Sequence, residues 1–131
     1  MMDGDSLYPP DWRESGAKDW HRIDVMLRDG DAEGAAFFLQ QCLEKFLKAY
    51  LLSRGWKLRK IHQLDALLDD AVARDESLGE HRSLCERVSG YYFVERYPQI
   101  VSSGLTTAEI ETDRAEARRL VRALFPDERL P

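Results

Sequence analysis

Phe37-Phe38-Leu39-Gln40-Gln41-Cys42-Leu43-Glu44-Lys45-Phe46-Leu47-Lys48-Ala49-Tyr50-Leu51-Leu52 decides how the rest of the chain is read. The run lies between Gly34 and Gly55 and contains neither Gly nor Pro. Its apolar residues return every three or four positions, so Leu39, Leu43, Phe46, Leu47, Tyr50 and Leu51, with Ala36 before them, share one broad face of an α-helix. Helix is expected from about Ala32 to Arg54, stopping at Gly55. At 1.5 Å per residue this gives a rod of about 35 Å, long enough to be the spine of a bundle. Gln41, Glu44, Lys45 and Lys48 form a polar stripe along the same helix. A plain solvated face would have this pattern, and so would a hydrogen-bonded network at a helix interface or dimer seam. Glu44 stands four residues before Lys48, the favourable order for an ion pair.

Upstream, residues 1–11 are polar, include Pro9-Pro10, and are expected to form a flexible arm, with Asp11 able to cap a helix from Trp12 to Arg28. Asp29-Gly30-Asp31 supplies a C-terminal glycine followed at once by the next N-cap, so the first two helices should form an antiparallel hairpin. Downstream, a loop from Gly55 to Ile61 leads to a short helix from His62 to Arg74, with Leu64, Leu67, Leu68 and Val72 on its inner side. Asp75 to Gly79 breaks the pattern. A fourth helix is expected from Glu80 to Arg96, ended by Pro98. Thr106-Thr107-Ala108-Glu109 is a capping box opening a last helix from Thr107 to Phe125, and 126–131 is a tail. No segment alternates with period two. The fold class is therefore all-α, an antiparallel up-and-down bundle of about five helices over residues 12–125.

One domain with one core is what 131 residues allow. No run approaches the roughly 18 apolar residues of a membrane span. Met1-Met2-Asp3-Gly4-Asp5 has neither a basic nor an apolar region, so the cytoplasm is the expected location. A net charge of -5 argues against a general nucleic-acid binder. A local basic patch remains: Arg54, Lys57, Arg59 and Lys60 surround Trp56, which reads first as a solvated loop over one buried Trp and only second as a binding patch. His21, His62 and His81 are widely separated and Cys42 and Cys85 stand alone, so no metal site or other cofactor is expected. There is no phosphate-binding loop and no Gly-x-Gly-x-x-Gly.

Four features recur in a telling order. They are Gln40-Gln41-x-x-Glu44-Lys45-x-x-Lys48 on the long helix, His62-x-Leu64 opening the next, Tyr91-Tyr92, and Arg96-Tyr97-Pro98. Together they resemble the HEPN domain (higher eukaryotes and prokaryotes nucleotide-binding). The resemblance implies a helical bundle that forms a homodimer with a cleft between protomers. It also implies a nucleotide or a small nucleotidyltransferase as partner, in two-component systems that include toxin–antitoxin pairs. One branch of the family cleaves RNA without metal through an Arg, four to six residues, and a His. There the His moves the proton of the attacking 2′-hydroxyl and the Arg stabilises charge on the phosphate.

This sequence departs from that motif. Arg96 is followed by Tyr97-Pro98-Gln99-Ile100-Val101-Ser102-Ser103, without a His. Arg74 and His81 have the spacing, but the interval is acidic and precedes the motif region. The resemblance thus favours a non-catalytic nucleotide-binding or partner module, with a metal-independent ribonuclease and a ligand-free dimeric scaffold as alternatives. Gln41, Glu44, Lys45, Lys48, His62, Tyr92, Arg96 and Tyr97 are the cleft candidates, and Arg74 and His81 the catalytic ones. Arg96 and Tyr97 also fit a helix end, where Arg complements the dipole and Tyr packs under the turn.

Overall fold

The structure is a computed structural model that describes residues 6–92 and 104–131. Among the described residues five α-helices carry it: α1 (Pro9–Arg28), α2 (Ala32–Ser53), α3 (Leu64–Val72), α4 (Arg82–Ser89) and α5 (Thr107–Leu124). Short 3-10 turns at Glu76–His81 and Gly90–Tyr92 flank α4, and there is no strand among the described residues. None of these helices is long and apolar enough to cross a membrane.

α1 and α2 form the expected hairpin, and its turn explains why. Gly30 takes a φ of 76°, the amide of Gly30 donates to the Leu27 carbonyl, and that of Asp31 donates to Met26. These two bonds close a Schellman motif. Asp31 then caps α2 by accepting the Gly34 amide at 2.8 Å. α2 ends in the same way, with Gly55 at a φ of 81° and the Gly55 and Trp56 amides turned back to Leu52 and Leu51. Contacts along the hairpin run in opposite directions: Met26 meets Gly34, Asp19 meets Lys45, and Trp12 meets Lys48. The helices are antiparallel.

α2 is buried without a break from Cys42 to Leu51. α1, α3, α4 and α5 all lie against it. Ile23, Leu39, Leu43, Phe46, Leu47, Leu67, Leu68, Leu120 and Val121 fill the space between, each with no exposed surface. At Gly16 the α1 backbone comes so near α2 that a Cβ would sit 2.9 Å from the Phe46 ring. The spine expected from the sequence is therefore a central helix enclosed by the others.

Several boundaries differ from expectation for identifiable reasons. α1 begins at Pro9 with Tyr8 as its N-cap, and Asp11 lies inside the first turn. Proline suits that position because it has no amide to leave unsatisfied. Asp11 instead accepts the Ser6 hydroxyl at 2.8 Å. The third helix starts at Leu64, so His62 is in the preceding loop rather than at a helix start. α4 is short: α-helix stops at Ser89 and gives way to the 3-10 turn at Gly90. The remainder of the expected fourth helix, 93–96, falls outside the described residues. The tail is packed, with Leu130 buried and Arg13 of α1 bonded to Glu128 at 2.9 Å.

Candidate functional site

The polar stripe of α2 is not a solvated face. Gln40, Glu44, Lys45 and Lys48 are all buried. Lys45 turns to α1, where its ammonium lies 2.7 Å from Asp19, itself buried beside Trp20. The other members turn away from that pair and converge on Glu44. Lys48 Nζ donates to Glu44 Oε2 at 2.9 Å, and Gln40 Nε2 reaches Glu44 Oε1 at 3.1 Å. Gln41, half-buried, donates to Gln40 Oε1 at 2.6 Å and so extends the chain outward.

The network leaves the helix at His62. Gln40 Nε2 donates to the His62 carbonyl at 2.8 Å, which fixes the loop. The imidazole Nδ1 lies 3.1 and 3.2 Å from the two Glu44 oxygens. An ionised carboxylate only accepts, so Nδ1 carries the proton in this pairing. Nε2 then points elsewhere, on a side chain that is 51% exposed. One face of the ring stacks on Tyr92, with centroids 4.6 Å apart and planes 18° from parallel.

Tyr92 is held there by its neighbours. Tyr91 donates its hydroxyl to Asp113 at 2.6 Å, and Arg87 donates to the same buried carboxylate at 2.9 Å. This ties the turn carrying both tyrosines to α5. Burial and the Asp113 hydrogen bond raise the Tyr91 phenol well above its ordinary value, so it remains a donor. Ser89 Oγ accepts the Leu64 amide at 2.9 Å and joins the end of α4 to the start of α3. Lys60, Ile61, His62, Gln63, Ser89 and Tyr92 thereby line a cleft of about 310 Å³.

The site is thus a half-exposed imidazole held by a buried carboxylate, stacked on a tyrosine and tied to the Gln-Glu-Lys pattern of the central helix. The HEPN domain model matches residues 10–124. The chain belongs to the HEPN domain family. Among solved structures, the crystal structure of TT1696 from Thermus thermophilus is similar to it, at a TM-score of 0.79 and 25% identity. The match covers 88% of this chain and 94% of that one. No curated protein matches the chain.

In this HEPN domain the other candidates are dispersed. Arg74 donates to the Asp70 carbonyl at the end of α3, where it completes a helix terminus. His81 is buried, with Nε2 3.4 Å from the exposed Glu80. Burial lowers its pKa, aided by Arg119 and opposed by Glu80 and Glu116, which favours the neutral ring. Arg96 and Tyr97 lie outside the described residues. The basic loop matches the solvated reading: Trp56 is buried with Nε1 on Asp70 at 2.9 Å, Arg54 covers the Tyr50 ring, and Lys57 is exposed. Cys42 and Cys85 are free and buried. Burial pushes both thiols up, Cys85 to about 12, so neither is a nucleophile near neutrality. No group of metal-ligating side chains occurs among the described residues.

Sequence reasoning passed over Gln40 as a site residue, and also Asp19, Ser89 and Asp113. Asp19 left a signal, since it adjoins Trp20 on the face that α1 must bury. Ser89 and Asp113 left none, because each acts on a residue far away in sequence.

Proposed function

We propose that this HEPN domain is a non-catalytic binding module. Its His62–Tyr92 cleft takes a nucleotide, and it works beside a nucleotidyltransferase in a two-component system of toxin–antitoxin kind. The observation that carries the reading is the stacked His62–Tyr92 pair, anchored through Glu44 to the core and bordered by Lys60. Flat π-faces accept a base without needing its hydrogen-bond code, and an exposed ammonium suits a phosphate. The lack of a His after Arg96 supports a binding role over a catalytic one. A two-fold homodimer is part of the proposal and is checked by light scattering.

Calorimetry and thermal melting with AMP and ATP test the nucleotide. At a hundredfold excess over Kd, a bound ligand should stabilise the fold by about 2.7 kcal/mol. Tyr92→Ala and His62→Ala should abolish that gain. Co-purification with a co-expressed nucleotidyltransferase tests the partner. Absence of both a nucleotide-dependent melting shift and any complex sinks the proposal.

One observation favours a second reading, a metal-independent ribonuclease. Glu44 holds His62 Nδ1, while Nε2 has no protein partner among the described residues. In that reading Nε2 takes the 2′-hydroxyl proton as the 2′-oxygen bonds to phosphorus, and the 5′-oxygen departs with a proton from water. RNA cleavage in chelator that His62→Ala abolishes would establish it. Cleavage abolished by His81→Ala, and not by His62→Ala, would move the chemistry to the Arg74–His81 pair.

A further inference from the structure

A second cavity lies on other elements, between the α1 face that carries Trp20 and the α5 face that carries Arg114 and Arg118, with the tail closing it. Its volume is about 400 Å³, and Trp20, His21, Asp24, Arg114, Arg118 and Arg129 contribute to its walls. Three arginines thus line the cavity beside one acidic side chain, Asp24.

Arg114 is the telling member. Its side chain is only 14% exposed, yet its Nε is buried without a hydrogen-bond partner. Its nearest carboxylates, Asp24 at 3.7 Å and Glu111 at 3.8 Å, are both too distant for hydrogen bonds. Arg118 donates once, to the Pro131 main-chain oxygen at 2.9 Å. Arg129 is exposed and no bond or ion pair to it occurs among the described residues. Each guanidinium has five N–H donors in a planar fork, and among those here the Arg114 Nε is the one buried without an acceptor. Burying that N–H without an acceptor is costly. The Trp20 ring offsets part of that cost, lying 4.9 Å from the Arg114 guanidinium and 5.2 Å from that of Arg118. It accepts no hydrogen bond from their N–H groups along the rim. An anion with several acceptor oxygens suits such a wall.

We infer that this cavity binds a small phosphate-bearing anion through Arg114, Arg118 and Arg129. Phosphate matches the chemistry because it presents several acceptor oxygens to a fork donor and brings the opposite charge. The site is separate from the His62–Tyr92 cleft in residues and in elements, so it stands whether or not that cleft takes a nucleotide.

Titration calorimetry on the full chain with inorganic phosphate and with pyrophosphate, at constant ionic strength, tests this. Both should bind saturably, pyrophosphate more tightly. Arg129→Ala, on an exposed side chain that the fold does not need, should weaken binding about tenfold, the loss of one charge-assisted contact. Arg114→Gln should weaken it further, with thermal melting confirming that the variant folds. His62→Ala and Tyr92→Ala should leave phosphate binding unchanged, which separates this site from the nucleotide cleft. The inference is overturned if phosphate and pyrophosphate give no saturable heat, if only a polycarboxylate such as citrate binds, or if both arginine variants bind as the parent does.

Discussion

Glu44→Gln should be among the most damaging conservative substitutions in the molecule, although it removes no atom from the core. The parent carboxylate receives Lys48, Gln40 and His62 in a buried position. The amide keeps the shape but loses the charge, leaving the Lys48 ammonium, 4% exposed, without a counter-ion. Breaking a buried pair from one side costs about 3–5 kcal/mol. The Trp12 ring, 5.4 Å from Lys48 Nζ, moderates that and points to the lower end of the range. A domain of this size is stable by only about 5–15 kcal/mol, so the loss is a large part of the total. Urea unfolding followed by far-UV circular dichroism measures it. The midpoint should fall with the slope unchanged. Glu44→Leu combined with Lys48→Met removes both charges and should recover most of the stability, because the desolvation cost disappears with the pair. A Glu44→Gln loss below about 1 kcal/mol, or a double variant worse than the single, would refute the account of a buried, mutually dependent pair.

Three other outcomes follow from particular contacts. Gly16→Ala should destabilise by about 1–3 kcal/mol despite alanine's better helix propensity, since its Cβ would sit 2.9 Å from Phe46; Gly90→Ala, which meets nothing within 4 Å, should be neutral or stabilising, and paired thermal melts decide both. His81 has a folded-state pKa below its ordinary 6.5, so the unfolded chain binds the proton first: stability should be full above that value and decline as pH falls through the folded pKa, and a His81→Asn variant should show a flatter denaturation profile over that window. Asp113→Asn weakens the acceptor for Tyr91 and Arg87; a loss of about 1.5–3 kcal/mol is expected, and a nucleotide affinity reduced with it would show that this anchor positions Tyr92.

The glycines and caps made most of the fold legible. Gly30, Asp31, Gly55 and Thr106 act where they stand in the chain, through φ angles and hydrogen bonds to carbonyls or amides three to five residues away. Helix order and the identity of the spine therefore follow from local chemistry together with the three- and four-residue recurrence of apolar side chains. Phe46, Leu47 and Leu51 are buried because that recurrence leaves them no other face.

The polar residues of the same helix were a different matter. Spacing put Gln41, Glu44, Lys45 and Lys48 on one stripe, and the stripe identified a family, but it could not say what each member meets. α1 sets Asp19 opposite Lys45, and the loop before α3 brings His62 to Glu44. These partners lie 26 and 18 residues away in sequence, and no short-range rule relates them. Burial of a charge is decided by whichever element packs over it, and the cost of that burial is met only if the right acceptor arrives with that element. Sequence alone thus determined the helices, their order and the family. Only the tertiary structure decided that the charged stripe is interior, that His62 rather than His81 has an open ring nitrogen beside a cleft, and that Arg114 Nε is buried without an acceptor.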